Sequence, residues 1–280
     1  MNKSHCTSVR AAAVAGLALL AAQSASAGPI FLTGHDPDFH AQDSVHAQDL
    51  LKAGLDFVTS GAYTNVTKKF LWVESFLSPT AGHRVGEAGL TSIGLTQGSE
   101  FDWVDAAGFA SVNLSAYEAI GIASSFGGML TQSELDGLIT RKADIATFVN
   151  NGGGLLALSE CSPSSGFCLA DTLGPNPNTF GFLPVVVTSV NTTAPYSLTA
   201  AGSLLFPGLT NDDMNDPTHN SFGQVGGLTV VDTDNAGVAT TLAGKVRITG
   251  HGFDVPEPGS LALVTLALTG VGASRRRKHG

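Results

Sequence analysis

The sequence predicts an α/β domain, with a mostly parallel sheet flanked by helices and antiparallel strands added late in the chain. Three observations predict it. Short, wholly apolar runs alternate with helical patterns through the first 160 residues. Tyr117 to Glu160 lays out a strand, a helix and a strand joined by glycine-rich turns, a βαβ unit that sets its two strands parallel. Beyond Leu183 the runs shorten and are separated by turn residues, as in antiparallel pairs.

Taken in order, Pro29 to Thr33 (PIFLT) reads as a buried first strand that ends at Gly34, and a helix follows from about Ser44 to Thr59. Phe70 to Ser75 (FLWVES) is the second strand. The glycine-rich stretch Pro79 to Leu95 carries a short helix near Val85. Tyr117 to Ala123 (YEAIGIA) is a further buried strand, closed by Ser124-Ser125-Phe126-Gly127-Gly128. Thr131 then opens the longest helical pattern, with Leu135, Leu138, Ile139, Ile145, Phe148 and Val149 at helical spacing. Thr131 and Glu134 form a capping box, and Asn151-Gly152 end the helix. Gly154 to Leu158 follows at once as a strand. Late strands are expected at Val185 to Val190, Leu228 to Asp232, Gly237 to Leu242 and Lys245 to Thr249, with turns at Asp234-Asn235 and Ala243-Gly244. Residues 174–181 and Pro207 to Phe222 read as long loops, where function often sits. No internal repeat is evident.

The two ends read differently from the middle. Lys3 and Arg10, the apolar run Ala11 to Ala22 and Ala25-Ser26-Ala27 have the layout of an export leader cut before Gly28 by signal peptidase. The chain therefore divides into a signal peptide at 1–27, an exported α/β domain at 28–254 and a C-terminal segment at 255–280. That last segment holds Pro256-Glu257-Pro258, an apolar run from Leu261 to Ala273 and the cluster Arg275, Arg276, Arg277 and Lys278. The prolines stop a helix from starting earlier, because each fixes φ and lacks an N–H. The run then enters a bilayer as a single transmembrane helix at 261–273, its arginines on the cytoplasmic side. A run of this length covers roughly 20 Å of a hydrocarbon core about 30 Å thick, which suits a segment that is processed.

In this order, the triplet, the span and the arginine cluster resemble the PEP-CTERM sorting signal of Gram-negative bacteria, which a membrane-embedded exosortase recognises. An ordinary tail anchor is the alternative. The resemblance implies export through an inner-membrane-anchored intermediate, cleavage near the triplet and delivery to the cell surface or extracellular matrix. It makes exosortase a processing partner and extracellular polysaccharide a candidate ligand. It implies nothing about the activity of the cargo.

Composition narrows the partners. Between Gly28 and Pro258, eight Lys and Arg face 23 Asp and Glu, a formal charge of −15. So acidic a surface repels nucleic acid and anionic lipid and favours cations. Once the leader is gone, two cysteines remain, Cys161 and Cys168, and in an oxidising compartment a local disulfide is the plain reading. The sharper reading makes Cys161 a nucleophile.

Tyr117 to Glu160 also resembles, at the level of pattern, the core of the class I glutamine-amidotransferase-like, flavodoxin-like superfamily, including its trehalose-utilisation-type branch. A generic Rossmann-like sheet is the alternative. The resemblance implies a ligand-facing elbow after the strand Gly154 to Leu158. Catalysis there needs a thiolate, a histidine and a carboxylate. Cys161 lies near the elbow, but its surroundings, Ser159-Glu160-Cys161-Ser162-Pro163, lack the small-residue frame, and no His-x-Glu pair follows. His219 and His251 are the late histidines available.

Gly34-His35-Asp36-Pro37-Asp38-Phe39-His40, followed by Asp43 and His46, is the other constellation. It follows the first strand at the carboxyl edge of the sheet, where open α/β folds bind ligands. His35, Asp36, Asp38 and His40 are candidate ligands for a divalent cation, zinc through nitrogen or calcium through oxygen. The alternative is a loop in which an aspartate caps the next helix and the histidines are hydrogen-bonded. Asn211 to Asp216 has oxygens suited to calcium but lacks the glycine and glutamate of an EF-hand, so it reads as a solvated loop. Phe101, Trp103 and Phe109 read as core before sugar-stacking surface.

Two functions follow. The first is an exported surface or matrix protein with a non-catalytic binding or assembly role linked to exopolysaccharide. The second is a secreted hydrolase or amidotransferase-like enzyme, with metal dependence, acting through His35, Asp36, Asp38 and His219. The incomplete triad favours the first.

Overall fold

The computed structural model describes residues 26–59, 63–64, 68–75, 88–125, 129–159, 182–183, 185, 187–189, 192, 194–215, 220–249 and 252–254. Its strands are β1 (Pro29–Thr33), β2 (Phe70–Val73), β3 (Phe101–Val104), β4 (Ala119–Ile122), β5 (Gly154–Leu158), β6 (Val187–Ser189), β7 (Ser197–Leu198), β8 (Asn220–Phe222), β9 (Thr229–Thr233), β10 (Ala239–Lys245), β11 (Arg247–Thr249) and β12 (Gly252–Asp254). The helices are α1 (Pro37–His40), α2 (Val45–Val58), α3 (Ala88–Ser92), α4 (Ala106–Ser111), α5 (Gln132–Thr140), α6 (Lys142–Asn150) and α7 (Ala200–Leu205).

Five strands are parallel, in the order β3-β2-β4-β5-β1, and the sheet continues through the antiparallel β10, β8 and β6, with β9 also on β10. The mixed α/β class with a mostly parallel central sheet is thus as expected. The strand order is a correction, because the flavodoxin-like order is 2-1-3-4-5. Here β1 lies between β5 and β10. Its outer edge is taken by an antiparallel pairing that runs from Pro29↔Lys245 to Thr33↔Thr241. That pairing, drawn from the far end of the domain, leaves no edge of β1 for β2.

Both faces of the central sheet are covered, so β1, β2, β4 and β5 are buried along their whole length and almost wholly apolar, as in buried parallel sheets. One face packs Phe31, Phe70, Trp72 and Phe101 against α2 and α3. On the other, Ile30, Leu71, Ile120 and Leu155 meet α4, α5 and α6. Side chains as fully buried as Trp72 and Phe31 each contribute roughly 1.5–3 kcal/mol. A close approach fixes Gly121, since a Cβ there would stand 2.5 Å from Trp72 Cε3.

Local signals explain the helices. Ser44 caps α2, its Oγ accepting the Ala47 N–H at 3.2 Å, and the capping box of Thr131 and Glu134 starts α5. The single helix expected from 131 to 150 is two, α5 and α6, which meet at Arg141 with φ −97° and ψ 18°. There the Arg141 side chain is drawn towards α4: Nη1 donates to the carbonyls of Phe109 at 2.6 Å and Val112 at 2.9 Å. Its guanidinium also lies 5.1 Å over the Phe109 ring.

The turn expected at Ala243-Gly244 does not exist, because β10 runs on to Lys245. Ala243 and Gly244 lie opposite Phe31 and Ile30 in the middle of the sheet. The expected turn at Asp234 forms, with Oδ1 accepting the N–H of Ala236 and of Val238, each at 2.9 Å. The expected transmembrane segment, 261–273, lies outside the described residues. Among the described residues no helix is long and apolar enough to cross a membrane.

Candidate functional site

Open parallel sheets bind ligands beyond the carboxyl ends of their strands, at the point where neighbouring connections diverge. Here that point lies between β2 and β4. The chain leaves β2 for β3 through α3, on the α2 face, and leaves β4 for β5 through α5 and α6 on the other face. The residues at this edge of the parallel strands are polar and buried: Thr33 at the end of β1 with His35, Asp36 and Asp38 after it, Glu74 and Ser75 after β2, Ser124 and Ser125 after β4, and Ser159 after β5. This concentration of enclosed polar groups is the candidate site.

Its best-defined contact crosses from α1 to β4. Asp38, 1 % exposed, accepts the backbone N–H of Ser124 at 2.9 Å through Oδ2 and that of Phe39 at 3.2 Å through Oδ1. Burial pushes its carboxyl up to about 6, and the hydrogen bonds from Ser124 and Phe39 offset only part of that rise. After β2, Glu74 accepts the Trp72 indole N–H at 2.8 Å.

His35 belongs to a second cluster. Its Nε2 lies 3.1 Å from Asp232 Oδ2, with both side chains at 0 % exposure, and Thr240 Oγ1 donates to the same oxygen at 2.6 Å. The Tyr196 ring stands edge-on to the imidazole at 5.2 Å. Thr33 Oγ1 and Thr241 Oγ1, 2.9 Å apart, join β1 to β10. Asn220 Nδ2 donates to the Ser159 carbonyl. The cluster therefore clamps the end of β1 to β9 and β10.

The four expected ligands do not converge. His35 meets Asp232, Asp38 meets Ser124, and His40 Nε2 lies 3.4 Å from Asp36 Oδ1 in a pair of its own. Among the described residues no group of three or more His, Cys, Asp or Glu is placed to hold a metal ion. His46, a third separate case, pairs through Nδ1 with Asp213 Oδ1 at 2.8 Å, and Thr210 donates to Asp213 Oδ2 from N at 2.7 Å and from Oγ1 at 2.8 Å. Burial alone would raise the Asp213 carboxyl. The bonds from His46 and Thr210 outweigh it and hold the group below the usual carboxylate range.

The Asn211 to Asp216 stretch is solvated as expected at Asn211, Asp212 and Asn215, which are exposed, but not at Asp213, which is buried; Asn211 Oδ1 accepts the Leu198 N–H at 2.9 Å, and Asp216 lies outside the described residues. Phe101 and Phe109 are core, both at 0 % exposure. Cys161, Cys168 and His219, with the proposed disulfide and elbow, lie outside the described residues, as does His251.

Two open clefts lie elsewhere. One of about 670 Å³ sits at the amino edge between Lys68, Glu118, Arg141 and Gly153. The other, about 620 Å³, runs between α2 and the segment after α7, and is lined by Asp49, Lys52, Asp56, Phe57, Phe206 and Lys245. Sequence reasoning missed this groove, because no helix was read at Ala200–Leu205 and its partner helix α2 lies about 150 residues earlier.

Beyond Gly252 the chain reaches its C-terminal segment. Residues 254–278 match the PEP-CTERM protein-sorting motif. The match covers less than a tenth of the chain and takes in the triplet, the apolar run and the basic cluster. It indicates an exported protein sorted by exosortase to the surface or exterior of a Gram-negative bacterium. No curated protein and no solved structure matches the chain, so the amidotransferase-like resemblance gains no support.

Proposed function

We propose that this is a non-catalytic binding or assembly protein of the cell surface or extracellular matrix, linked to extracellular polysaccharide. In this reading signal peptidase removes the leader and exosortase frees the domain near Pro256-Glu257-Pro258, through a membrane-anchored intermediate. The observation that carries the non-catalytic part is the dispersal of the imidazoles. His35, His40 and His46 each face a different carboxylate: His35–Asp232 and His46–Asp213 join distant parts of the chain, and His40–Asp36 lies within the α1 segment, four residues apart. Base chemistry needs an imidazole that a substrate can reach, and His35 is wholly enclosed.

The groove between α2 and the α7 segment is the surface on which this reading places the ligand. Phe57 and Phe206 lie 5.3 Å apart in its wall, with Asp49, Asp56 and Lys52 alongside. Ring faces beside carboxylates suit a sugar chain, whose C–H face stacks while its hydroxyls are hydrogen-bonded. Retention of the purified protein on matrix polysaccharide from the producing cell is the expected result, and Phe57→Ala is expected to weaken it about tenfold or more. Equal retention of wild type and variant would place the ligand elsewhere, and no retention of either would remove the polysaccharide. The enzyme reading has in its favour the His35–Asp232 pair, an arrangement like the imidazole–carboxylate half of a nucleophilic triad, but both its side chains are enclosed.

A further inference from the structure

The leader junction is built into the fold. Ser26 is exposed, but Ala27 is only 3 % exposed and Gly28 is buried. The Gly28 N–H donates to the Val149 carbonyl at 2.8 Å, in the last turn of α6. That carbonyl also accepts the Gly152 N–H at 2.9 Å. The Gly28 backbone lies so close to the Gly152-Gly153 turn that a Cβ would stand 1.9 Å from the Gly153 carbonyl oxygen. From there the chain enters β1, which is paired on both edges.

We infer that cleavage between Ala27 and Gly28 precedes folding, and that the new α-ammonium of Gly28 becomes a structural group, docked on the carbonyl end of α6. The inference rests on the reading of Ala25-Ser26-Ala27 as a leader-peptidase site. A protease must hold the residues flanking its scissile bond in an extended strand within its own cleft. Here those residues are held by Val149, Gly152 and Gly153, so the folded precursor presents the bond only after the amino edge opens. Cleavage then follows the rare open form. Hydrolysis adds water across the Ala27–Gly28 peptide bond, leaving a carboxylate on Ala27 and an amine on Gly28 that is protonated at neutral pH. That cation lies at the end of a helix where carbonyl oxygens concentrate negative charge, an arrangement helices favour. Glycine at 28 thus meets the demand for close contact with Gly153.

The test uses the full-length precursor in detergent with purified signal peptidase. Precursor diluted from urea directly into enzyme is expected to yield a chain beginning at Gly28, and precursor refolded beforehand is expected to be cut at least about 100-fold more slowly. Equal rates with the correct new terminus overturn the inference and leave the leader reading intact. A new terminus other than Gly28 in the unfolded arm overturns both. As a second readout, an α-amine-selective reagent is expected to label the mature protein only above the urea concentration that unfolds it. Rapid labelling of the folded protein would show that the ammonium is not docked. Gly28→Ala is expected to be cut normally when unfolded but to label readily afterwards, because its methyl group keeps the terminus off Gly153.

Discussion

Replacing Asp232 by alanine is expected to remove about 3–5 kcal/mol of folding stability, the usual result of taking one partner from a fully enclosed ionisable pair. Asp232 Oδ2 receives the Thr240 hydroxyl at 2.6 Å and faces His35 Nε2 at 3.1 Å. Truncation takes this partner from both groups where no water replaces it, since Thr240 and His35 are at 0 % exposure. The loss extends beyond the pair, because this contact fastens the end of β1 to the antiparallel half of the sheet. Asp232→Asn keeps an acceptor for Thr240 and is expected to lose less. Urea titrations of the two variants check this, and a loss below about 1 kcal/mol for Asp232→Ala would show that the clamp is not structural.

The second large effect is the pH dependence set by Asp38. Its carboxyl titrates near 6 in the folded chain against 3.8 for the unfolded value, with burial as the cause. A raised carboxyl binds its proton more tightly when folded. Between pH 4 and 6 the folded state therefore holds more protons than the unfolded one, and this group's contribution to stability falls as pH rises. A shift of about two units corresponds to about 3 kcal/mol. Asp38→Asn removes the titration and keeps a side-chain oxygen for the Ser124 N–H. The stability gained over wild type is expected to be small at pH 4, to grow through pH 6 and to level off near 3 kcal/mol above pH 7. Parallel urea titrations across that range give the difference directly, and a gain that does not change with pH would contradict the assignment.

Patterns confined to short stretches of sequence were legible. β1, α2, β2 and the β4 to β5 unit stand within a few residues of their expected positions, because each carries its own apolar run, cap or glycine turn. β3 was not legible: Phe101–Val104 is only four residues long, too short for the alternation of Phe101, Asp102 and Trp103 to stand out. Nor was the order of the strands, since β1 takes its outer partner from residues more than 200 positions away. The break at Arg141 depends on carbonyls of α4 about 30 positions earlier, beyond any helical periodicity.

The site divides along the same line. The cluster from His35 to His40 was visible as a run of polar residues after an apolar strand, and its placement at the carboxyl edge followed. Its partners were not visible. Asp232 and Thr240 belong to distant strands, and Ser124 contributes a backbone N–H that has no sequence signature. Four neighbouring residues that read as one ligand set are therefore divided among three separate contacts. By contrast the sorting segment needs no tertiary structure to be recognised, which is why its signal is the strongest in the chain.

Fractionation of cells producing the protein with Pro256-Glu257-Pro258 replaced by three alanines tests the central claim most directly. Wild type is expected at the surface or in the medium without its C-terminal span, and the variant is expected to remain in the cell membrane with residues 261–280 attached. Equal release of wild type and variant would contradict sorting through this segment.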